Sequence, residues 1–375
     1  MSAATGPTVA LLGATGAVGS AAARVLAGDG PLRLGGRRHG PLDELAATLD
    51  GPAVSTHPVD LDDPHALDAF AHGADVLLHC AAPAFAIGDR VARAAARAGS
   101  RYVDVSGDAQ LAQQLTGGAV PNVAVLGAGV VPGLSALLPR LLLTRARAAG
   151  MNPSRMRVHT GGVERCSPGV ARDMLLSLDA GGPDGAAYGE PLAAWRDGVR
   201  VPRALRSEED AQAPFFDGRV ALQPFLAAES ERLARTTGLA GLDWFNVHPG
   251  PHVREAMRRL RGTDPHGAAA ALVRAAELDL AGQRAYHLMV VTVHGPDGEG
   301  GARTVVLRSP DSYALTGTVA AVATRAITAG KIPAGVHHAG EVLDPAMVLD
   351  AVQALGVTRL TEIAGDGLED EEGAL

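Results

Sequence analysis

The segment Thr8-Val-Ala-Leu-Leu-Gly13-Ala-Thr-Gly16-Ala-Val-Gly19 decides the fold of this chain. It is a short apolar run that ends on three glycines spaced G-x-x-G-x-x-G, and the helix-forming run Ala21-Ala-Ala-Arg-Val-Leu26 follows it. A strand, a tight glycine turn and a helix in this order present backbone N–H groups and the positive end of a helix dipole to a pyrophosphate. The context therefore predicts a dinucleotide site rather than an ordinary glycine turn. The residues that we expect to contact the cofactor here are Gly13, Thr15, Gly16, Ala17, Val18 and Gly19.

Strand and helix patterns alternate through the first 130 residues, in the order that builds a parallel sheet with crossover helices. The predicted strands cover residues 8–12, 32–35, 53–59, 74–79, 101–105 and 122–126. The predicted helices between them cover residues 18–27, 42–49, 64–71 and 87–98. The fold class is therefore predicted to be α/β, with a Rossmann-type doubly wound parallel sheet over residues 1–130.

A second, α+β domain for substrate binding and dimerisation is predicted over residues 131–325. Its signals are a long apolar helix over 134–147, strands at 156–160, 198–201, 286–293 and 304–307, a turn at Gly161-Gly162, and a helix that Ser167-Pro168 opens. Gly181–Gly185 reads as a loop and 296–301 as a hairpin turn. Residues 326–360 are predicted to return to the first domain, and the acidic residues 361–375 to be disordered.

The end of the second predicted strand indicates the cofactor. NAD-selective sites usually carry an Asp or Glu there for the ribose hydroxyls, whereas this chain has Arg37 and Arg38. Two adjacent guanidiniums suit a 2′-phosphate, which favours NADP(H). The alternative is a solvated basic turn.

Residues at the ends of other strands complete the predicted cofactor site. Asp60 and Asp62 end the third strand, where a carboxylate either reaches the adenine edge or caps the helix that Pro64 begins; capping is the favoured role for Asp62 or Asp63, and both roles stay open for Asp60. Cys80, Ala81 and Pro83 follow the fourth strand, where small residues line the nicotinamide ribose in such folds, and Cys80 is interpreted as a buried apolar group rather than a reactive thiol. Ser106 follows the fifth strand.

Composition excludes several classes of function. The net charge is −8 and no aromatic-interleaved basic stripe occurs, so nucleic acid is not an expected partner. No run reaches the ~20 apolar residues that span a bilayer, and the two cysteines lie far apart, which favours a reducing, cytoplasmic setting. His248 and His252 have the spacing of a zinc pair, but the intervening Pro-Gly-Pro prevents the helix that would align them, so no metal is expected.

The single lysine, Lys331, narrows the possible chemistry. None of the four tyrosines has a lysine four residues later, so the Tyr-x-x-x-Lys pair of short-chain dehydrogenases is missing. A ketone would lack that activating donor, whereas a protonated imine already carries a positive charge. This difference favours C=N over C=O reduction.

Four segments together resemble the saccharopine dehydrogenase-like (saccharopine reductase) NADP-binding superfamily. They are the glycine loop, Ala74-Asp-Val-Leu-Leu-His-Cys-Ala-Ala-Pro83, Ala98-Gly-Ser-Arg-Tyr-Val-Asp-Val-Ser-Gly-Asp108 and Gly127-Ala-Gly-Val-Val-Pro-Gly-Leu-Ser135. A closing segment at 329–345 is also similar. The resemblance implies an NADP-dependent oxidoreductase that acts on an imine of a small, possibly amino-acid-derived substrate, and a homodimer. No clamp for two amino-acid carboxylates is recognisable in the middle domain, so saccharopine itself is not the expected substrate.

Four residues are the catalytic candidates: Tyr102, Asp108, Glu164 and Arg165. Tyr102, Asp104, Ser106 and Asp108 alternate along one strand and its exit, at the sheet edge where ligands bind in doubly wound folds. An acid there would hold an amine or relay a proton, or else Asp108 caps a helix and Asp104 binds backbone. In the resembling family the Gly161-Gly162 turn adjoins the substrate, which is the reason for Glu164 and Arg165; Ser135 is either a substrate donor or a helix cap. A C=C or C=O reductase and a non-catalytic NADP-binding sensor remain alternative functions.

Overall fold

A computed structural model describes residues 6–51, 53–117, 119–178, 188–259, 265–296 and 301–364. The Gly181–Gly185 loop and the acidic tail from residue 365 onward lie outside the described residues. The chain divides into two compact units: unit 1 comprises Met1–Leu134 and Tyr313–Val352, and unit 2 comprises Ser135–Ser312 and Gln353–Leu375.

Unit 1 is built on a seven-stranded parallel sheet in the order β16-β6-β5-β4-β1-β2-β3. The strands are β1 Val9–Leu12, β2 Leu32–Gly36, β3 Val54–Pro58, β4 Val76–His79, β5 Arg101–Asp104, β6 Val123–Leu126 and β16 Gly335–His338. The order 3-2-1-4-5-6 of the first six strands is that of a dinucleotide-binding doubly wound sheet. The predicted α/β fold class is confirmed, and each of the six predicted strands is present.

The helices of unit 1 cover the sheet with small and aliphatic side chains. They are α1 Ala17–Leu26, α2 His39–Ala47, α3 Pro64–Ala71, α4 Ala84–Ile87, α5 Arg90–Ala98, α6 Ala109–Gln114, α12 Ser312–Thr328, α13 Ala339–Val342 and α14 Pro345–Gln353, the first residue of α12 and the last of α14 belonging to unit 2. The single helix predicted over 87–98 is two helices, α4 and α5, because Gly88 takes φ +59° between them and turns the chain.

The last segment of unit 1 adds the strand β16 and the helix α12. The strand pairs in parallel with β6, which extends the sheet beyond the six strands of the amino-terminal part. The helix packs on α1, since a Cβ at Gly317 would lie 2.6 Å from the backbone N of Ala22, and Arg325 forms an ion pair with Asp29 at 2.6 Å. The sequence interpretation placed residues 313–325 in the second domain; their packing on α1 explains why they fall in unit 1.

Unit 2 contains a ten-stranded mixed sheet. Its strands are β7 Arg155–Val163, β8 Gly189–Pro191, β9 Ala194–Arg196, β10 Val199–Val201, β11 Glu208–Ala211, β12 Val220–Ala227, β13 Gly241–His248, β14 Tyr286–His294, β15 Ala302–Ser309 and β17 Arg359–Ala364. Its helices are α7 Leu134–Ala148, α8 Pro168–Leu178, α9 Ala228–Thr237, α10 Pro251–Arg259 and α11 Pro265–Leu280, where α7 begins on the last residue of unit 1. The pair β7 and β13 is parallel and the other pairs are antiparallel.

Two features of unit 2 differ from the sequence interpretation. Gly161 and Gly162 do not form a turn; they continue β7 between β13 and β14, where a Cβ would collide with the carbonyl oxygens of Val247 and Tyr286. Residues 359–364 pair with β15 as β17, so the closing segment returns to unit 2 after leaving unit 1. Trp195 is a core residue, as predicted, and its indole N–H donates to the carbonyl oxygen of Leu239 at 3.0 Å. None of the described helices is both long and apolar enough to span a membrane.

Candidate functional site

Two of the three glycines of the loop between β1 and α1, Gly13 and Gly19, are needed for close backbone packing. Gly13 has φ +82°, and a Cβ there would lie 2.6 Å from the backbone N of Ala81. A Cβ at Gly19 would collide with the carbonyl oxygen of Gly13 and lie 2.9 Å from the Cα of Ala14. The loop is therefore pressed against the end of β4, and side chains larger than hydrogen would open it.

The outer side of this loop is accessible to a ligand. Thr15, Gly16 and Ala17 are exposed and Val18 is half-buried. Gly16 precedes α1 and supplies no side-chain cap, so no side chain of the N-cap residue satisfies the first N–H groups of the helix. N–H groups at a helix start bind phosphate oxygens, so the loop fits the pyrophosphate of a dinucleotide.

A substitution at Gly19 tests this packing. We expect Gly19→Ala to destabilise unit 1 by about 1–3 kcal/mol, because the added methyl group meets backbone rather than a flexible side chain. NADPH affinity should fall with it, measured by fluorescence titration at a temperature where the variant is folded. Gly28→Ala is the matched control, since a Cβ at Gly28 has no neighbour within 4 Å. Equal stability and equal NADPH affinity of Gly19→Ala and Gly28→Ala would contradict the close backbone packing described for Gly19.

Arg37 and Arg38 lie directly after β2, at the same edge of the sheet as the glycine loop. Both are exposed, and among the described residues neither guanidinium has a hydrogen-bond or ion-pair partner. The arrangement leaves both guanidiniums available for a 2′-phosphate, as the sequence predicts. The residues present thus fit NADP at the glycine loop and at this corner.

Asp60 and its neighbours form the turn after β3. The Asp60 carboxylate accepts the backbone N–H of Asp62 at 3.0 Å, and Asp63 caps α3 by accepting from His65 and Ala66. Asp62 instead pairs with Arg90 at 2.6 Å. Asp60 is exposed, so a role at the adenine edge stays a prediction.

Cys80 follows β4 and is buried. Burial, with a further contribution from the nearby Asp104, raises the pKa of its thiol far above the usual range. The thiol is therefore neutral at physiological pH, in agreement with its interpretation as a small apolar group. Ala81 and Pro83 continue from it towards α4, and both are half-buried.

A buried polar network joins the ends of β4 and β5. The hydroxyl of Tyr102 donates to Oδ2 of Asp104 at 2.6 Å, and Nδ1 of His79 lies 3.1 Å from the same oxygen. All three residues are buried, with at most 2% of their surface exposed. Oδ1 of Asp104 accepts the backbone N–H groups of Ser106 and Gly107 at 2.9 and 2.7 Å.

This network changes the interpretation of Tyr102. Tyr102 lies in the hydrophobic core of unit 1, and burial together with the charge of Asp104 raises the pKa of its hydroxyl well above the ordinary value. Its hydroxyl proton is engaged by Asp104 and does not face an open site, so we do not retain Tyr102 as a proton donor. Asp104 binds backbone, which was one of the two predicted alternatives, and it fixes the turn that carries Ser106.

Asp108 lies beyond that turn and forms an ion pair with His338. Oδ1 of Asp108 is 3.3 Å from Nδ1 of His338, the last residue of β16, and the two side chains are 11% and 15% exposed. Asp108 occupies the N-cap position of α6, but its side chain makes no cap hydrogen bond. The predicted alternative of a helix cap is therefore wrong, and the carboxylate lies beside an imidazole instead.

Glu164 of unit 2 also has an imidazole partner. Its Oε1 lies 3.2 Å from Nδ1 of His287, and its Oε2 accepts from the hydroxyl of Ser312 at 2.9 Å. Nε2 of His287 lies 3.4 Å from the hydroxyl of Thr160 on β7. Glu164 is held by this polar group directly after β7. Arg165 is the next residue, and its substrate role stays a prediction.

Two other polar residues of unit 2 have structural partners. The hydroxyl of Ser135 donates to the buried carboxylate of Glu229, so its proton is engaged within unit 2. His248 lies 3.3 Å from Oε1 of Gln223, whereas His252 lies 2.8 Å from Asp279. Burial lowers the pKa of His248 to about 4, which keeps it neutral. Within the described residues no cluster of three His, Cys, Asp or Glu side chains has metal-binding geometry.

Three functional candidates escaped the sequence analysis: His79, His287 and His338. Each is identified by a carboxylate partner 25, 123 or 230 positions away in the chain, namely Asp104, Glu164 or Asp108. No local motif carries such a signal. His338 lies on the closing segment, and the parallel pairing of β16 with β6 brings it to the edge that carries Asp108.

Comparisons with known proteins agree with this geometry. Residues 9–119 match the family described as saccharopine dehydrogenase NADP binding domain. No curated protein matches the chain in sequence. Among solved structures, the apo histidine-tagged saccharopine dehydrogenase (L-Glu forming) from Saccharomyces cerevisiae matches with a TM-score of 0.65 and 15% identity, over 96% of this chain and 100% of that chain.

Shorter matches are found to structures of NmrA, with TM-scores of 0.24. One is a double glycine mutant of NmrA, 28% identical, over 28% of this chain and 34% of that chain. The other is NmrA, a negative transcriptional regulator, in complex with NADP, 26% identical, over 30% of this chain and 36% of that chain. The predicted resemblance and the NADP cofactor are confirmed by the family match and the saccharopine dehydrogenase fold. Residues 9–119 of this chain therefore match an NADP-binding domain of the saccharopine dehydrogenase type.

Proposed function

We propose that this protein is an NADPH-dependent oxidoreductase that reduces the C=N bond of a small imine, such as one derived from an amino acid. The observation that carries the choice of C=N over C=O is the position of Tyr102. In an NADP-binding domain without a Tyr-x-x-x-Lys pair, this tyrosine on β5 was the tyrosine among the catalytic candidates. Its hydroxyl is instead buried and donates to Asp104 at 2.6 Å.

The reduction of an imine needs no side chain that donates a hydrogen bond to a carbonyl oxygen. An imine, one proton and NADPH give a secondary amine and NADP⁺, and bound NADPH supplies the hydride. A protonated imine carries a positive charge that a carboxylate stabilises. Asp108 and Glu164 are the carboxylates that we propose for this role, and each lies within 3.3 Å of an imidazole nitrogen.

The protein's own residues perform the other tasks of the reaction. The glycine loop and Arg37 and Arg38 bind the cofactor's phosphates, and the Asp104 network fixes the turn that leads to Asp108. Arg165 remains a proposed contact for an anionic group of the substrate. The homodimer implied by the resemblance, the cytoplasmic location predicted from composition, and the absence of nucleic acid as a partner also remain predictions. Light scattering of the purified protein tests the first of these.

A panel of substrates tests the proposed function. NADPH oxidation is followed at 340 nm with cyclic imines, open-chain imines formed from amines and 2-oxo acids, ketones and enones, and NADH replaces NADPH in parallel. We expect turnover of at least one imine, with NADPH preferred. Glu164→Gln should then lower kcat/KM by roughly 10²-fold or more, because a glutamine cannot transfer the proton that the imine nitrogen needs. Turnover of enones or ketones alone would replace the proposal with one of the other reductases, and tight NADPH binding without any turnover would favour a sensor.

A further inference from the structure

His338 and Asp108 meet at the carboxyl edge of the parallel sheet of unit 1. The strands β16 and β5 flank β6, and all three run in the same direction. The carboxyl ends of parallel strands lie at one edge, where ligands of doubly wound folds bind. The pair is 3.3 Å apart and largely shielded from water. Both residues therefore belong to the cofactor-binding edge although 230 positions separate them.

The Asp108 carboxylate is not used by its own helix. An Asp at an N-cap position ordinarily accepts a backbone N–H from the first turn. Asp108 is the N-cap residue of α6 and makes no such bond. The carboxylate instead lies 3.3 Å from Nδ1 of His338.

The backbone that carries Asp108 is fixed from the other side. Asp104 accepts the N–H groups of Ser106 and Gly107, and a Cβ at Gly107 would lie 3.1 Å from the Asp104 carboxyl carbon. Asp104 therefore determines the course of the turn, and His338 lies beside the side chain of Asp108 that follows it. A reacting group held at both its backbone and its side chain is preorganised for binding.

We propose that His338 is a positioning residue for the reduction, because its imidazole holds the Asp108 carboxylate in the orientation that binds the cationic nitrogen of the substrate. This inference rests on the proposed function and names the substrate class that suits the pair, a protonated imine or its amine product. The carboxylate forms a charge-assisted hydrogen bond with the protonated nitrogen of the substrate. This hydrogen bond is stronger than one to a neutral nitrogen.

The adjacent His337 provides a matched control. Successive side chains of a strand point to opposite faces, and Nε2 of His337 lies 3.1 Å from the carbonyl oxygen of Pro333. Three further titratable groups lie on the segments that carry the pair: His337 itself, Glu341 on α13 and Asp104 before the turn. Because His337 and His338 are neighbours on β16 but have different contacts, comparing variants of the two separates the role of the His338–Asp108 pair from a general disturbance of the strand.

Kinetics test the positioning role. We expect His338→Leu to lower kcat/KM for the imine by about 10²-fold, since a small misplacement of a reacting group has that cost. His338→Asn keeps a donor close to the position of Nδ1 and should restore part of the rate, whereas His337→Leu should change little. NADPH affinity, measured by fluorescence, should be unchanged in all three variants. If His338→Leu behaves like His337→Leu, the inference is overturned.

A second measurement needs no substrate. In protein with ¹⁵N-labelled histidine, the titration midpoint of the His338 imidazole is followed by NMR in the wild type and in Asp108→Asn. Removal of a neighbouring negative charge disfavours the imidazolium, so the midpoint should move to lower pH in the variant. A midpoint that does not move would overturn the inference even if imines are reduced. A shift without imine turnover would support the pair and reject the proposed substrate class.

Discussion

Asp104→Ala should lower the free energy of unfolding by about 3–5 kcal/mol, the range expected when one partner of a buried charged network is removed. The substitution leaves His79 and the Tyr102 hydroxyl buried without their shared acceptor, and two backbone N–H groups lose theirs. Asp104→Asn should have a smaller effect, because its amide oxygen is still able to accept from Ser106 and Gly107. Urea denaturation followed by circular dichroism measures all three proteins.

Tyr102→Phe is the control for this network. It removes one donor to Asp104 and leaves the carboxylate with its other partners, so a loss of only about 1 kcal/mol is expected. If Asp104→Ala costs less than Tyr102→Phe, the carboxylate is not the centre of the network and the account of this turn is wrong.

The same carboxylate gives a pH dependence of known sign. Burial alone acts to raise its pKa, but the contacts from His79, Tyr102 and the Ser106 N–H outweigh burial and lower it from 3.8 to about 2. A carboxylate with a depressed folded pKa stabilises the protein above its unfolded pKa, and that stability is lost as the pH falls from about 4 towards 2. Asp104→Asn should therefore show a weaker loss of stability over this acid range.

Replacing both Arg37 and Arg38 by Ser should weaken NADPH binding by roughly 10²–10³-fold, because a hydrogen bond to a charged group contributes about 1.5–3 kcal/mol. Binding of NADH, which lacks the 2′-phosphate, should change little. Both guanidiniums are exposed and have no partner among the described residues, so their removal disturbs no internal contact. Titration of the two cofactors into the wild type and the variant, followed by fluorescence, measures the change in selectivity.

Arg24→Ser serves as the charge-matched control for the single variants Arg37→Ser and Arg38→Ser. Arg24 is an exposed residue in the last turn of α1, at the opposite end of that helix from the glycine loop. Its loss changes the net charge by the same amount as Arg37→Ser and should leave NADPH affinity unchanged. An equal loss of NADPH affinity in Arg24→Ser and Arg37→Ser would mean that only the net charge of the protein matters. That result would contradict a contact of Arg37 with the 2′-phosphate.

Much of unit 1 was predictable from sequence because its signals are local. The apolar runs, the glycine loop and Pro64 mark strands, turn and helix start within a few residues of one another, and each of the six strands was found within three residues of its predicted ends. The helix at 87–98 was predicted too long because Gly88 is one glycine in a helix-forming stretch, and only its positive φ shows that the chain turns there.

Contacts between distant segments were not predictable. Gly161-Gly162 has the composition of a turn, yet β13 and β14 pair with both sides of it, and the absence of side chains there allows their backbones to approach. Tyr102 alternates with Asp108 in sequence, but Tyr102 points into the core, whereas Asp108 lies beyond the strand, in a turn. Their partners His79 and His338 lie on other strands, so neither role follows from local pattern.

The most direct test of the central claim is transfer of isotope from cofactor to substrate. The protein is incubated with each imine of the panel and with NADPH deuterated at the transferable C4 position, and the amine product is analysed by mass spectrometry and NMR. The account predicts an amine that gains one deuterium on the former imine carbon and none when deuterated NADH replaces NADPH at equal concentration below saturation. Deuterium found only in products of enones or ketones, or in no product at all while NADPH binds tightly, would contradict it.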